Sequence, residues 1–421
     1  MSNKFTLKQC SLFPADSDSK TLSGEFGLLK GNPQINYCES ITSPSVSVEI
    51  TVLDTDGILS AKGVYGGEGL AIKADAEDDV DLDDFIISKD KHELILNDVK
   101  DIVSGVKQQS ITLQFVSKDF IKNETARLNR RFTGNVGNHV KDIMTKDIKG
   151  IQTTKSVSDI NQTTNNYTFV GNQQKAFDII QRLQPKSQAS KDDFGFLFFE
   201  NFDGYHFKSI ESLMKQEPVA EYDKTEVSTV NDFVIDDYVF NSGGDLTMNL
   251  KAGTYSNETI YIDLDKHKEE VVKFNIDEVS NLIRPPKIPR DVSNKSSRRM
   301  LRLRDVGAMQ KSETSALEDV QQVNELSIYQ NKSYARNSLL FSQSLTIKVS
   351  LNPSLRAGQT ISVRFPLMDP DNPNEENLDL GNEKTNDISG KYLIAKLMHD
   401  VGNGKFSTHL TLIRDVFTPT A

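Results

Sequence analysis

The chain has 421 residues, 37% hydrophobic and 26% charged, with no Trp and a formal charge of -11 from 49 basic and 60 acidic side chains. This length exceeds one ordinary core, so about two to four domains are expected. The composition excludes a disordered chain, and the acid excess argues against general wrapping of nucleic acid or adhesion to an anionic membrane.

Only Cys10 and Cys38 occur, without C-x-x-C spacing, so two reduced core thiols are expected rather than a zinc site or a disulfide framework. The start, "MSNKFTLKQCSLFPAD", has no unbroken apolar stretch, and no span of ~20 apolar residues follows. The expectation is a soluble protein made in the cytoplasm, without membrane insertion. In that setting the sequons at Asn123, Asn161, Asn166, Asn257, Asn294 and Asn331 carry no glycan.

The first flank alternates apolar and polar residues, the mark of a strand with one buried face. Val46, Val48, Ile50 and Val52 do so in "VSVEITV", and Ile111, Leu113 and Phe115 in "SITLQF". Between them "DAEDDVDLDD" (75–84) crowds carboxylates without the Gly and terminal Glu of an EF-hand loop, which predicts a solvated acidic loop. Helical spacing follows. Val136, Val140, Ile143 and Met144 form one stripe behind Gly134-Asn135. Ala176, Ile180 and Leu183 form another after Asn172, the expected N-cap, and Pro185 ends it. "FGFLFFENFDGYHFKSI" predicts a hairpin turning at Asp203-Gly204.

Three more strand candidates, "FVIDDYVF", "TYSNETIYIDL" and "EEVVKFNI", precede a polar stretch carrying "RPPKIPRD" and the short helix candidate "SALEDVQQVNELSIYQ". This stretch reads as an extended arm. Its basic island, with Arg284, Lys287, Arg290, Lys295, Arg298, Arg299, Arg302 and Arg304, suits docking to an acidic neighbour or a solvated loop. Nucleic acid ranks below both, because no aromatic residues interleave. Alternation then returns in "LTIKVSL" and "ISVRF", and residues 369–387 form a second acidic loop.

The chain closes on "SGKYLIAKLMHDVGNGKFSTHLTLIRD", where Gly402-Asn403-Gly404 reverses a hairpin carrying His399 and His409. A catalytic base needs a nucleophile in reach and an orienting group, and no G-x-S-x-G or comparable element accompanies them. The reading is structural: no catalytic, metal or cofactor residue is expected. A peptidoglycan hydrolase and a receptor- or glycan-binding module remain as alternatives.

The two flanks resemble each other, "GGEGLAIK" with "RAGQTISVRF" and "ITLQFVSKD" with "HLTLIRD", which predicts two barrels from one ancestral unit. The expected fold is mainly β: a first barrel at 1–120, an α+β insertion at 121–220, a second barrel at 221–276 and 336–421, and the arm at 277–335.

The succession of "FVSKDFIKNETARLNRRFTGNVGNHVKDIM", "YTFVGNQQKAFDIIQRL", "FGFLFFENFDGYHFKSIESL", "LRAGQTISVRFPL", "SGKYLIAKLMHD" and "LTLIRD" resembles the baseplate hub proteins of contractile-tailed bacteriophages. Their relatives form the first part of the type VI secretion spike. The resemblance implies a virion protein of the tail baseplate. It further implies a homotrimer of six similar tube-like barrels that joins the sixfold tail tube to a threefold spike, contacts neighbouring baseplate proteins and leaves a channel through which DNA slides unbound. With no OB-fold and no β-helical repeat after the last strand, the spike is expected to be a separate polypeptide.

Overall fold

The computed structural model describes residues 5–15, 24–54, 57, 63–64, 66–77, 82–105, 109–157, 159–190, 193–224, 233–241, 246–264, 267–278, 295–303, 330–341, 343–365, 388–402 and 404–414.

Alternation builds the first flank. Its strands are β1 (Phe5–Phe13), β2 (Phe26–Gly27), β3 (Gln34–Ser40), β4 (Ser47–Asp54), β5 (Gly69–Ala76), β6 (Phe85–Ile87), β7 (Leu94–Ser104) and β8 (Gln109–Ser117). Val48, Ile50 and Val52 of β4 face Phe115, Leu113 and Ile111 of β8 across the antiparallel register, and all six are at most 1% exposed. Branched and aromatic side chains paired in this way contribute both burial and cross-strand packing.

The insertion follows directly. Helices at Lys118–Thr125, Val136–Thr145 and Ala176–Leu183 pack with the hairpin of β14 (Phe196–Asn201) and β15 (Gly204–Ser209), after the short pieces β9 (Arg131–Phe132), β10 (Asp159–Ile160), β11 (Phe169–Val170), β12 (Gln188–Ser190) and β13 (Asp193–Phe194). Val140, Ile143 and Met144 meet Phe177, Ile180, Leu183 and Phe198 in one core, separate from that of the flanks. Asn135 caps its helix as the sequence suggests, its Oδ1 accepting from Gly137 N at 3.0 Å. The next helix is capped from a distance instead. Asn172 lies in a turn at φ 49°, and Asn123 Oδ1 accepts from Phe177 N at 2.8 Å. The hairpin turns on Phe202-Asp203, one residue earlier than expected, because Gly204 (φ 135°) is already paired with Asn201.

After β16 (Glu221–Asp223) and β17 (Ile235–Asn241), the chain forms β18 (Ser256–Asp263), β19 (Lys268–Asn275), β20 (Arg298–Leu303), β21 (Gln343–Ser350), β22 (Thr360–Arg364), β23 (Gly390–Gly402) and β24 (Lys405–Arg414). The strands of both flanks join in one fourteen-stranded sheet. Its path is β17-β21-β24-β23-β3-β4-β8-β7-β5-β1-β2, with β6 on β5, β22 on β23 and β16 on β22, and Asp223 at the end of β16 bridges Val234 just before β17. The cause is β23, thirteen residues long. Its first part pairs with β22, its register shifts between Ile394 and Lys396, and its second part pairs with β3 from the other flank. A single core therefore runs through both flanks, from Cys10 and Leu113 to Ile347 and Leu410.

The stretch expected to be an extended arm differs as well. Arg298–Leu303 is a strand, parallel to β18, in a separate three-stranded sheet β19-β18-β20, so β18 and β19 do not join the large sheet. A parallel partner needs a crossover, which local periodicity does not reveal. Arg284, Lys287, Arg290, Arg304, the loop 369–387 and all of the short helix candidate except Gln330 lie outside the described residues. Gln330 opens the helix Gln330–Leu340 that backs the small sheet: Thr259 Oγ1 donates to Asn331 Oδ1 at 2.8 Å and Tyr261 OH to Gln330 Oε1 at 3.2 Å. No helix among the described residues is long and apolar enough to cross a membrane.

Candidate functional site

The terminal hairpin brings its two histidines into different surroundings. His399 pairs with Thr408, so the pleat sends His409 to the opposite face. His399 is 1% exposed. Its Nδ1 lies 2.9 Å from Thr408 Oγ1, and its ring stacks on Tyr37 (5.8 Å, 19°) and meets the edge of Phe85 at 5.5 Å. Burial, with Arg356 nearby, pushes its pKa down to about 3, so the ring stays neutral and packs as an aromatic. His409 is half-buried, and Lys348 adds to burial in lowering its pKa.

Two carboxylates that the sequence reading did not single out anchor the insertion to the sheet. Glu200, 1% exposed on β14, accepts from Lys155 Nζ at 2.5 Å, Ser117 Oγ at 3.2 Å and Val46 N at 3.1 Å. Lys155 Nζ also donates to Ser117 Oγ at 2.7 Å. Burial raises the Glu200 pKa and the Lys155 ammonium opposes that rise. Glu39 of β3, 2% exposed, accepts from Tyr37 OH, Phe202 N and Ala357 N, each at 2.7 Å. One carboxylate thus ties together the first flank, the hairpin turn and the second flank. Burial pushes its pKa up to about 7 against those three donors.

Phe202, at the turn, is held between His92 (ring centroids 4.2 Å) and the Arg356 guanidinium (4.3 Å). Beside it lies a cavity of about 270 Å³ lined by Tyr37, His92, Lys155, Glu200, Phe202 and Asp203. With Lys155 and Glu200 committed to each other, the arrangement holds modules in fixed relation rather than presenting a free nucleophile. A signal for both carboxylates existed in the sequence, since "NYCES" and "FLFFEN" each carry a Glu where the strand runs through buried positions. Cys10 and Cys38 are free thiols whose pKa burial pushes up to about 12 and about 11.

Of the basic island, Arg298, Arg299 and Arg302 come together on β20. Arg298 donates to Ala252 O at 3.1 Å, Arg299 Nε lies 3.4 Å from Glu258, and Arg302 donates to Tyr334 OH at 2.9 Å.

Solved structures share this architecture. A tail protein from Neisseria meningitidis MC58 matches over 97% of this chain and 96% of its own at 10% identity, TM-score 0.53. The 43 kDa tail protein of prophage MuSo2 from Shewanella oneidensis matches over 97% and 98% at 9% identity, TM-score 0.50. The chain shares the fold of these two proteins. The E. coli c3393 protein, a type VI secretion component, matches over 97% of this chain and 76% of its own at 9% identity, TM-score 0.39. No family model matches the sequence, and neither does a curated protein. In this shared fold, Glu39 and Glu200 stand where the two flanks and the insertion converge.

Proposed function

We propose that the chain is a structural, non-enzymatic baseplate hub of a contractile phage tail. In this reading it is a homotrimer whose two tube-like units per chain make a ring of pseudo-sixfold symmetry between the tail tube and a separate spike, with a channel for DNA. The observation that carries the reading is the fold shared end to end with two tail proteins.

Two features of the chain support assembly. On β17 Val239 is 66% and Tyr238 37% exposed, and exposed apolar side chains of this kind favour a neighbour. The joint at Glu39 and Glu200 fixes the flanks rigidly, as a ring component requires. The acid excess of the chain, partly directed into the channel, would repel phosphate and let DNA slide. The basic residues Arg284, Lys287, Arg290, Arg298, Arg299, Arg302 and Arg304 serve docking to an acidic neighbour.

Light scattering on the purified chain at micromolar concentration tests the oligomer. The expected molar mass is three times 47.1 kDa. A monomer at every concentration tried would contradict the reading.

A further inference from the structure

We propose that β20 is a docking edge for an extended, carboxylate-bearing segment of another protein, which adds as a fourth strand to the β19-β18-β20 sheet. The proposal deepens the docking role of the basic residues and rests on the chain being an assembly component.

The strand order ends at β20, so among the described residues its outer backbone edge has no strand partner. Register fixes which side chains share the outward face. Ile260 pairs with Val271 on one side and Leu301 on the other, and Ile262 pairs with Leu303. Thr259 and Tyr261, one residue out of phase, point to the helix behind. The outward face is therefore an apolar stripe running into the open edge, with Val271 52%, Leu301 68% and Leu303 63% exposed. No proline and no register shift blunts β20.

Charge selects the partner. Residues 295–303 hold Lys295, Arg298, Arg299 and Arg302 and no carboxylate, in a chain of net -11. Arg299 shares the single Glu258 with Lys273, and its side chain stays 75% exposed. Arg302 is braced at the edge over the Tyr334 ring, 4.9 Å away. A second copy of β20 would set arginine against arginine, which opposes self-pairing. A strand that alternates branched apolar residues with carboxylates sets its apolar residues beside Leu301 and Leu303 and its carboxylates beside Arg298 and Arg302 on the other face, the strand-addition mode in which main-chain bonds bind and side chains select.

The probe is a labelled peptide alternating Glu and Val, with a Lys–Val peptide as control, titrated against the full chain by fluorescence anisotropy. The acidic peptide should bind and weaken about tenfold between about 50 and about 300 mM salt, and the basic one should not bind. Arg298→Ser with Arg302→Ser should abolish most of the binding. Successive N–H groups of a strand point to opposite sides, so of Met300→Pro and Leu301→Pro one keeps the pairing with β18 and blocks the outer edge. Circular dichroism identifies that variant, and it should not bind. Equal binding of both peptides, no binding, or binding that survives these substitutions would overturn the proposal. So would binding seen only when residues 372–385 are replaced by a Gly-Ser linker, since the chain's own acidic segment would then be the occupant. The molar mass of the chain is a separate readout, so loss of the docking edge leaves the hub reading standing.

Discussion

Lys155→Met is expected to lower the stability of the fold by about 3 to 5 kcal/mol, read as a shift of the urea midpoint with an unchanged slope. The side chain it removes is the cation facing a carboxylate with 1% exposure, and the methionine leaves Glu200 buried without that cation, with Ser117 and Val46 still donating to it. A buried charge stripped of its counterion costs far more than the pair contributes when intact, because desolvation is no longer offset. Adding Glu200→Gln to Lys155→Met should therefore recover much of the loss. If the double variant is as unstable as the sum of the singles, the two groups do not act as a pair.

The second large effect is a pH dependence. Glu39 has its pKa pushed up to about 7 from 4.5 in the fold, and in the unfolded chain it returns to the ordinary value. Between those limits the folded state holds the proton and the unfolded state has lost it. The contribution of Glu39 is thus fully present below pH 4.5 and is lost as pH rises through 7, a change of about 3 kcal/mol. His399, pushed down to about 3 from 6.5, acts in the opposite sense, since the unfolded chain gains a proton below 6.5 that the fold refuses. The two are separated by comparing wild type with Glu39→Gln, in which His399 is retained. The stability difference between them should be greatest near pH 4.5 and shrink toward pH 7.5. A difference independent of pH would show that Glu39 is ionised throughout.

Both effects sit where the sequence was hardest to read. Strands such as β4 and β8 were legible because each has one buried face, so period two appears directly in Val48, Ile50 and Val52. The helix at Val136–Thr145 was legible for the same kind of reason, with its stripe and its Asn135 cap lying together in sequence. What joined these pieces was not. The pairing of β23 with β3 links Met398 to Cys38, far apart along the chain, and depends on a partner switch near Ala395 that no local pattern announces. Reading the flanks separately suggests two barrels and gives no sign of the strand through which one sheet joins them. The charged strand β20 was hidden differently: arginines interrupt its apolar alternation, and its partner β18 lies beyond a long connection. Asn123 illustrates the same point at one residue, since a sequon in a helix proves to be the cap of another helix.

The central claim, a ring built from this chain, is tested most directly by electron microscopy of the purified protein. The account predicts end-on views of three copies arranged as six similar lobes around an open channel. Isolated single-chain particles, or a threefold assembly with no channel, would contradict it.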